Sequence, residues 1–462
     1  MEIDIKPGRL SPAQIEQNFG DLHAPLTQLQ AVQESARCLF CFDAPCTEAC
    51  PTGIDIPGFI RKIASGNTHG SAVTILSENI MGGTCANVCP VEELCEQVCV
   101  RNTAEDKPVV IGLLQRYATD HLFASGRQPF KRADNTGKRV AVIGAGPAGL
   151  SCAHRLAMLG HSVTVYEARG KAGGLNEYGL AAYKMLDERA AREVEFILDI
   201  GGIEVKTGVQ LGTDLSLRDL RSEFDAVFIG TGHNAVNALQ LENEEVAGVY
   251  NAVDFIEQIR QSDLSDLPVG RNVVVIGGGN TAIDIAVQVK KLGAENVTLV
   301  YRRGFEQMGA TEFEQQVAQT NGVLIRCHAQ PCRIHAEDGH LSAVEFEYTS
   351  IDDGRLVTSG ETFTLPADQL FKAIGQRLDA GLLAKANLSE AGLDEADRDE
   401  VNLDNFDHPA IENGRIKVDQ QQHSSLPNVW AGGDCTPGND LTVVAVQQGK
   451  IAAHSIDEYL KR

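Results

Sequence analysis

The 462-residue sequence predicts an α/β protein, on three observations. A strand, a glycine turn, a helix and a second strand follow in order at KRVAVIGAGPAGLSCAHRLAMLGHSVTVYEAR, from residue 138. The same order returns at RNVVVIGGGNTAIDIAVQVKKLGAENVTLVYRR, from residue 271. Each reads as one βαβ unit. The third observation is that eight of the twelve cysteines fall between Cys38 and Cys99, ahead of both units. The expected architecture is a helical N-terminal domain followed by two Rossmann-like domains, the second inserted in the first. The boundaries read as 1–135, then 136–235 with 370–462, and 236–369. The polar, Gly- and Pro-containing text GRQPFKRADNTGK marks the first of them.

Composition narrows the class. Hydrophobic residues are 43% and charged residues 22% of the chain, as in ordinary globular proteins. No run of about 18 apolar residues is present, so no membrane-spanning helix is expected. The opening MEIDIKPGRL lacks a basic segment followed by an apolar one, so a cytoplasmic chain is expected. A formal net charge of −23 repels phosphates and anionic lipid, so neither nucleic acid nor membrane is an expected partner.

The N-terminal domain begins with helix-forming text, TQLQAVQESAR, leading into Cys38. The cysteines then read Cys38-x2-Cys41-x4-Cys46-x3-Cys50-Pro51 and Cys85-x3-Cys89-Pro90-x4-Cys95-x3-Cys99. An iron–sulfur cube needs several thiolates converging on one point. The bacterial ferredoxin run uses gaps of two, two and three and ends in Cys-Pro, its last Cys serving the other cluster. This chain differs in its middle gap. Spacing alone therefore puts Cys38, Cys41 and Cys46 on one cluster and sends Cys50 to a second. The alternative is a pair of zinc sites, which more often join two CxxC knuckles where this chain has one.

The first glycine turn is Gly144-x-Gly146-Pro147-Ala148-Gly149, and Glu167 ends the following strand. Glycines there let backbone approach a pyrophosphate at a helix N-terminus, and the carboxylate suits ribose hydroxyls. Two later features point to FAD. Gly173-Gly174-Leu175 follows the acidic residue closely. Gly433-Asp434 follows a strand, where Asp434 suits a ribityl chain and the helix beginning near Leu441, Thr442 and Val443 faces the ring. Thr231, after the strand in DAVFIGTG, joins this set.

The second turn is Gly277-x-Gly279-Asn280-Thr281-Ala282. Where the first unit has Glu167, the second is expected to have Arg302, followed by Arg303. Arginine suits a 2′-phosphate, so this unit reads as the site of NAD(P)H, with Ala373 and Gly375 after the strand in DQLFKAIGQ. An exposed basic turn is the alternative. Of the remaining cysteines, Cys152 reads as core and Cys435 as a thiol close to the flavin. No CxxC lies in either nucleotide fold, against a thioredoxin-reductase-like enzyme.

In this order, the cysteine domain, GAGPAGL with Glu167, GGL, GGGNTA and AGGD resemble the flavoprotein half of bacterial dihydropyrimidine dehydrogenase and the small subunit of glutamate synthase. The resemblance runs from about residue 30 to 460. GGLNEYGLAAYK (173–184) and PVVIGLLQRYATD (108–120) favour the pyrimidine branch. It implies two [4Fe-4S] clusters, one on Cys38, Cys41, Cys46 and Cys99 and one on Cys50, Cys89, Cys95 and the amide of Gln115, with Cys85 spare. It also implies the activity: NAD(P)H oxidised at FAD, and electrons passed through both clusters to an FMN-containing partner subunit that reduces uracil or thymine, in a heterotetramer. No base for substrate protonation is expected here, because the FMN barrel takes about 250 residues that this chain does not have to spare. Family members often carry a further arginine where this chain has FEQMGATEFEQ, so NADH and NADPH both stay open. The competing readings are a glutamate synthase small subunit and a non-catalytic scaffold that keeps the fold alone.

Overall fold

In the computed structural model, residues 4–379, 381, 383 and 408–462 are described. The cysteine-rich region is helical: α1 (Gln28–Ser35), α2 (Ile56–Ala64), α3 (Thr68–Glu78), α4 (Gly82–Val88) and α5 (Ile111–Ser125). Local sequence explains them. Thr27 and Gln30 form a reciprocal capping box at α1. Asp55 caps α2 by accepting from the Gly58 amide, and Ile56, Phe59, Ile60 and Ile63 form its buried stripe.

The first nucleotide fold follows as β1 (Arg139–Ile143), α6 (Pro147–Met158), β2 (Ser162–Glu167), α7 (Arg189–Leu198), β3 (Ile203–Thr207) and β4 (Ala226–Ile229). The insert holds β5 (Val249–Asn251), β6 (Asn272–Ile276), α8 (Asn280–Lys291), β7 (Asn296–Val300), α9 (Glu312–Thr320), β8 (Leu324–Arg326), β9 (Ala329–Glu337), β10 (His340–Asp352), β11 (Arg355–Pro366) and β12 (Gln369–Lys372). The chain returns with β13 (Val429–Ala431) and ends in α10 (Thr442–Leu460). One parallel sheet has the order β13-β4-β1-β2-β3, and the other, also parallel, β5-β12-β6-β7-β8. The buried runs RVAVI, AVFI and NVVVI are what strands covered on both faces require. The antiparallel meander β9-β10-β11 has no counterpart in the sequence reading, because its strands alternate weakly and β11 is largely exposed.

The chain forms two compact units. One contains His23–Glu177, Asp187–Ala235 and Arg377–Arg462, so the cysteine region and the first nucleotide fold share it. Their side chains form one core, from Phe59 and Leu114 to Val140, Leu156 and Trp430. The other contains the chain up to Leu22, Tyr178–Leu186 and Val236–Gln376. Two expected boundaries are corrected by this division. The first 22 residues belong with the insert, because Ile15 and Phe19 are buried in its core. Residues 178–186 belong there too, through buried Ala181 and Tyr183.

Candidate functional site

Cys38, Cys41, Cys46 and Cys99 line one partly open pocket, with apolar walls from residues such as Ile56, Ile60 and Val109. Burial raises the Cys38 thiol above its usual range and pushes Cys46 up to about 11. Neutral thiols at this density suit a cation that displaces their protons. Cys89 is held well above the usual thiol range by the Cys85 thiol and by burial, with Cys95 and Cys50 adding to it. Cys95 is raised by burial, with Glu96, Cys50 and Cys46 adding to it.

Gln115 lies on α5 and is buried. Its Nε2 donates to the Gly82 carbonyl at 2.7 Å. That fixes the amide orientation and leaves Oε1 without a hydrogen bond among the described residues. A glutamine on a helix surface would bond water through both ends, so this donor set fits an amide-oxygen ligand. Cys85 is 2% exposed and lies on α4 close to Cys89.

The first glycine turn is built as a dinucleotide cradle. Gly144 has φ +95°, and a Cβ there would lie 2.4 Å from the Gly230 carbonyl. Gly146 has only Gly174 Cα near it, at 3.9 Å, so its face is open. A methyl on Gly149 would lie 1.9 Å from the Gly144 carbonyl, so the helix is pressed onto the turn. Pro147 and Ala148 begin α6, whose cap at Gly146 has no side-chain partner. Glu167 accepts from the Ala145 and Arg169 amides, both at 2.8 Å, and so holds the turn with its own carboxylate.

Elements distant in sequence close around this turn. Gly174 stands against Gly146: a Cβ on it would be 2.6 Å from Gly146 Cα. Leu175 starts the short helix Leu175–Tyr178. Gly433, with φ +81°, faces Ala148. Thr231 Oγ1 is buried beside the Cys435 thiol and makes no hydrogen bond of ordinary geometry. Leu441 caps α10 without a side-chain bond, leaving the amides of Thr442 and Val443 available. Burial, with Asp440 nearby, pushes the Asp434 carboxyl up to about 6 against the pull of Arg415. These residues fit a flavin dinucleotide: an open glycine face, a buried orphan hydroxyl, a free helix N-terminus and a desolvated carboxyl.

Residues the sequence reading passed over tie the cradle together. Gln448 Oε1 accepts from the Gly433 amide at 2.6 Å. Thr442 Oγ1 donates to Asn176 Oδ1 at 3.0 Å, and Asn176 Nδ2 lies 3.4 Å from Met81 Sδ. Nothing in the text of α10 separates Gln448 from Gln447 beside it. Cys152 is core, as expected. The Cys435 thiol is fully buried beside Thr231 and directed at the Gly432 and Ile229 carbonyls.

The second turn repeats the plan with one shift. Gly277 has φ +153°, and a Cβ there would lie 2.3 Å from the Ala373 carbonyl. Gly279 is open, with nothing within 4 Å. Asn280 and Thr281 begin α8, and Ala282 is fully buried. The Gly144 amide bonds the Tyr166 carbonyl, and the Gly277 amide bonds the Val300 carbonyl. The residue matching Glu167 is therefore Tyr301, and Arg302 stands one residue beyond, a correction set by strand register. Tyr301 packs its ring on Gly278 and donates to the Gln307 carbonyl at 2.6 Å. Arg302 is exposed and Arg303 half-buried; among the described residues neither forms an ion pair. Gly375, with φ +94°, follows β12 and is bonded by Asn237.

Residues 138–449 match the pyridine nucleotide-disulphide oxidoreductase family, and residues 15–127 match the family described as dihydropyrimidine dehydrogenase domain II, 4Fe-4S cluster. The chain is thus an oxidoreductase with an FAD- and NAD(P)H-type domain and a 4Fe-4S domain. It belongs to the family that holds the flavoprotein subunits of bacterial dihydropyrimidine dehydrogenase and the small chain of glutamate synthase. The NAD-dependent dihydropyrimidine dehydrogenase subunit PreT of Salmonella typhimurium is 35% identical over 453 residues, 96% of this chain and 98% of that one. The glutamate synthase [NADPH] small chain of Escherichia coli is 33% identical, over 96% of this chain and 94% of that one. Among solved structures, FprA from Mycobacterium tuberculosis shares the fold, with a TM-score of 0.56 at 18% identity over 70% of this chain and 85% of that one. Among the described residues no helix is long and apolar enough to cross a membrane.

Proposed function

We propose that this chain is the electron-input subunit of a dihydropyrimidine dehydrogenase. It takes reducing equivalents from NAD(P)H and passes them to an FMN-containing partner subunit that reduces uracil or thymine, in a cytoplasmic heterotetramer. When bound, FAD accepts a hydride and the two [4Fe-4S] clusters carry single electrons onward. One observation supports this reading above the rest: four cysteines line one pocket inside the compact unit that also carries the first glycine turn. In this reading Cys38, Cys41, Cys46 and Cys99 hold the first cluster, and Cys50, Cys89, Cys95 and Gln115 the second. Gly144, Gly146, Gly149, Gly174, Gly433 and the start of α10 hold FAD. Gly277, Gly279 and Ala282 seat the nicotinamide nucleotide, and the unpaired Arg302 and Arg303 favour its 2′-phosphorylated form.

A glutamate synthase small subunit is the second reading, supported by a relative of nearly equal identity. Anaerobic affinity isolation from native cells, with the partner identified by mass, separates the two. An FMN-barrel partner with uracil-dependent NAD(P)H oxidation is expected. A very large amidotransferase partner overturns the pyrimidine reading and leaves the cofactor assignments standing. Failure of NAD(P)H to bleach the flavin of the purified chain overturns both.

A further inference from the structure

The second group of cysteines has a support that lies far away in sequence. Helix α4 leads directly into Cys89, yet Met81, the residue just before it, offers no side-chain cap. Its first amides are orphans that need acceptors. Glu193, on α7 in the same compact unit, supplies them. One carboxylate oxygen accepts from the Gly83 amide at 2.8 Å and from the Thr84 amide at 3.2 Å. The other accepts from Thr84 Oγ1. Glu193 is 1% exposed, with Arg189 of the same helix as a nearby favourable charge.

The residue immediately before this pair is Gly82, whose carbonyl takes the Gln115 amide nitrogen. Space around it is tight. A Cβ on Gly82 would lie 2.6 Å from Ile75 Cγ2, and one on Gly83 would lie 2.6 Å from the Phe123 ring. Three consecutive residues, Gly82–Thr84, are thus gripped from one side by Glu193 and hold Gln115 from the other. An amide has two ends of similar shape, and only oxygen can ligate iron. Something must decide which end faces the cysteines.

Resting on the assignment of Gln115 above, we propose that Glu193 is a positioning residue for the amide ligand of the second cluster. It locks the Gly82–Thr84 turn, the Gly82 carbonyl locks Gln115 Nε2, and Oε1 is left for the second cluster. Outer partners of this kind orient a ligand and change metal affinity about 10- to 100-fold when removed.

The test uses the anaerobically purified full chain, reduced with dithionite, with iron content and the two cluster EPR signals as readouts. In Glu193→Ala the second cluster's signal falls about tenfold or changes its g-values, while the first cluster and the flavin are retained. Glu193→Gln, which keeps an acceptor oxygen, restores the wild-type signal. Thr84→Val, which removes one donor and little volume, changes the second signal in the same direction by less. The double variant Glu193→Ala/Gln115→Ala resembles Gln115→Ala alone, since both act through one ligand. An unchanged second signal in Gln115→Ala overturns the ligand assignment itself. A changed signal there, with no change in Glu193→Ala, leaves the ligand and removes the role of Glu193. Loss of both clusters in Glu193→Ala, with an unchanged second signal in Thr84→Val, also overturns that role.

Discussion

The two nucleotide folds share a plan and differ in how their first helix is held. In the first, α6 is pressed onto the turn, with Gly149 against the Gly144 carbonyl, and α10 is pressed onto α6. A Cβ on Gly449 would lie 2.2 Å from the Ala148 carbonyl. Small residues make this contact close, and Ser151 Oγ adds a bond to the Val446 carbonyl. In the second, the matching position tolerates Ala282, and α8 is anchored by polar groups. Gln288 accepts from the Ala182 amide, Asp284 accepts from Tyr183 Oη, and Lys184 bridges Asp284 and Glu314, each at 2.7 Å. The difference teaches that one glycine motif can be served by backbone contact or by buried charge. The first arrangement leaves no slack between turn and helices, while the second depends on keeping every charge paired.

The sharpest way to break this comparison is Gly149→Ala. It drives a methyl into the Gly144 carbonyl and is expected to cost about 4 kcal/mol or more and to empty the chain of flavin. Ala282→Gly, the reverse change in the second fold, costs only about 1 kcal/mol of helix propensity. Thermal unfolding with flavin quantitation checks both, and equal effects would dissolve the contrast.

Lys184→Met probes the charged anchor. It strands Asp284 and Glu314 in the interior and is expected to cost about 3–5 kcal/mol. Urea unfolding should show the loss, with the flavin absorbance of the first fold retained at low denaturant.

The pH response comes from the first fold. Asp434 has a folded pKa of about 6, above the unfolded 3.8, so the native flavin-free chain holds this proton more tightly than the unfolded chain. Its contribution is fully present below pH 3.8 and is lost as pH rises through 6. Asp434→Asn cannot ionise. Its urea midpoint should therefore gain on wild type by an amount equivalent to about 2–3 kcal/mol between pH 4 and pH 7. Parallel midpoints across that window would mean the carboxyl is well solvated.

The smallest effect sharpens the one-residue offset between the folds. Arg302→Ala should raise KM for NADPH about tenfold, the worth of one hydrogen bond to a charged group, and leave KM for NADH unchanged. Equal changes with both coenzymes would make Arg302 a solvated charge.

Much of this was legible in sequence because it is local. The glycine turns, their strands and helices, and the first cysteine run are contiguous, and their spacing carries the geometry. The second cysteine group was harder. Counting assigns Cys85 a cluster that the resemblance gives to Gln115, and nothing within α5 separates that glutamine from a surface one. The offset of Arg302 was invisible for another reason: a strand's last paired residue is set by its neighbour, and Tyr301 or Arg302 could each end the apolar run.

The sequence by itself determined that the chain has two dinucleotide turns and a cysteine-rich helical region, because turn and helix signals are short-range. Only the tertiary structure decided which cysteines share a pocket, that residues up to Leu22 belong with the insert, and that Glu193 and Gln448 hold turns more than a dozen residues away or in another element. These are choices about where buried polar groups find partners, and such partners are fixed by packing rather than by order along the chain.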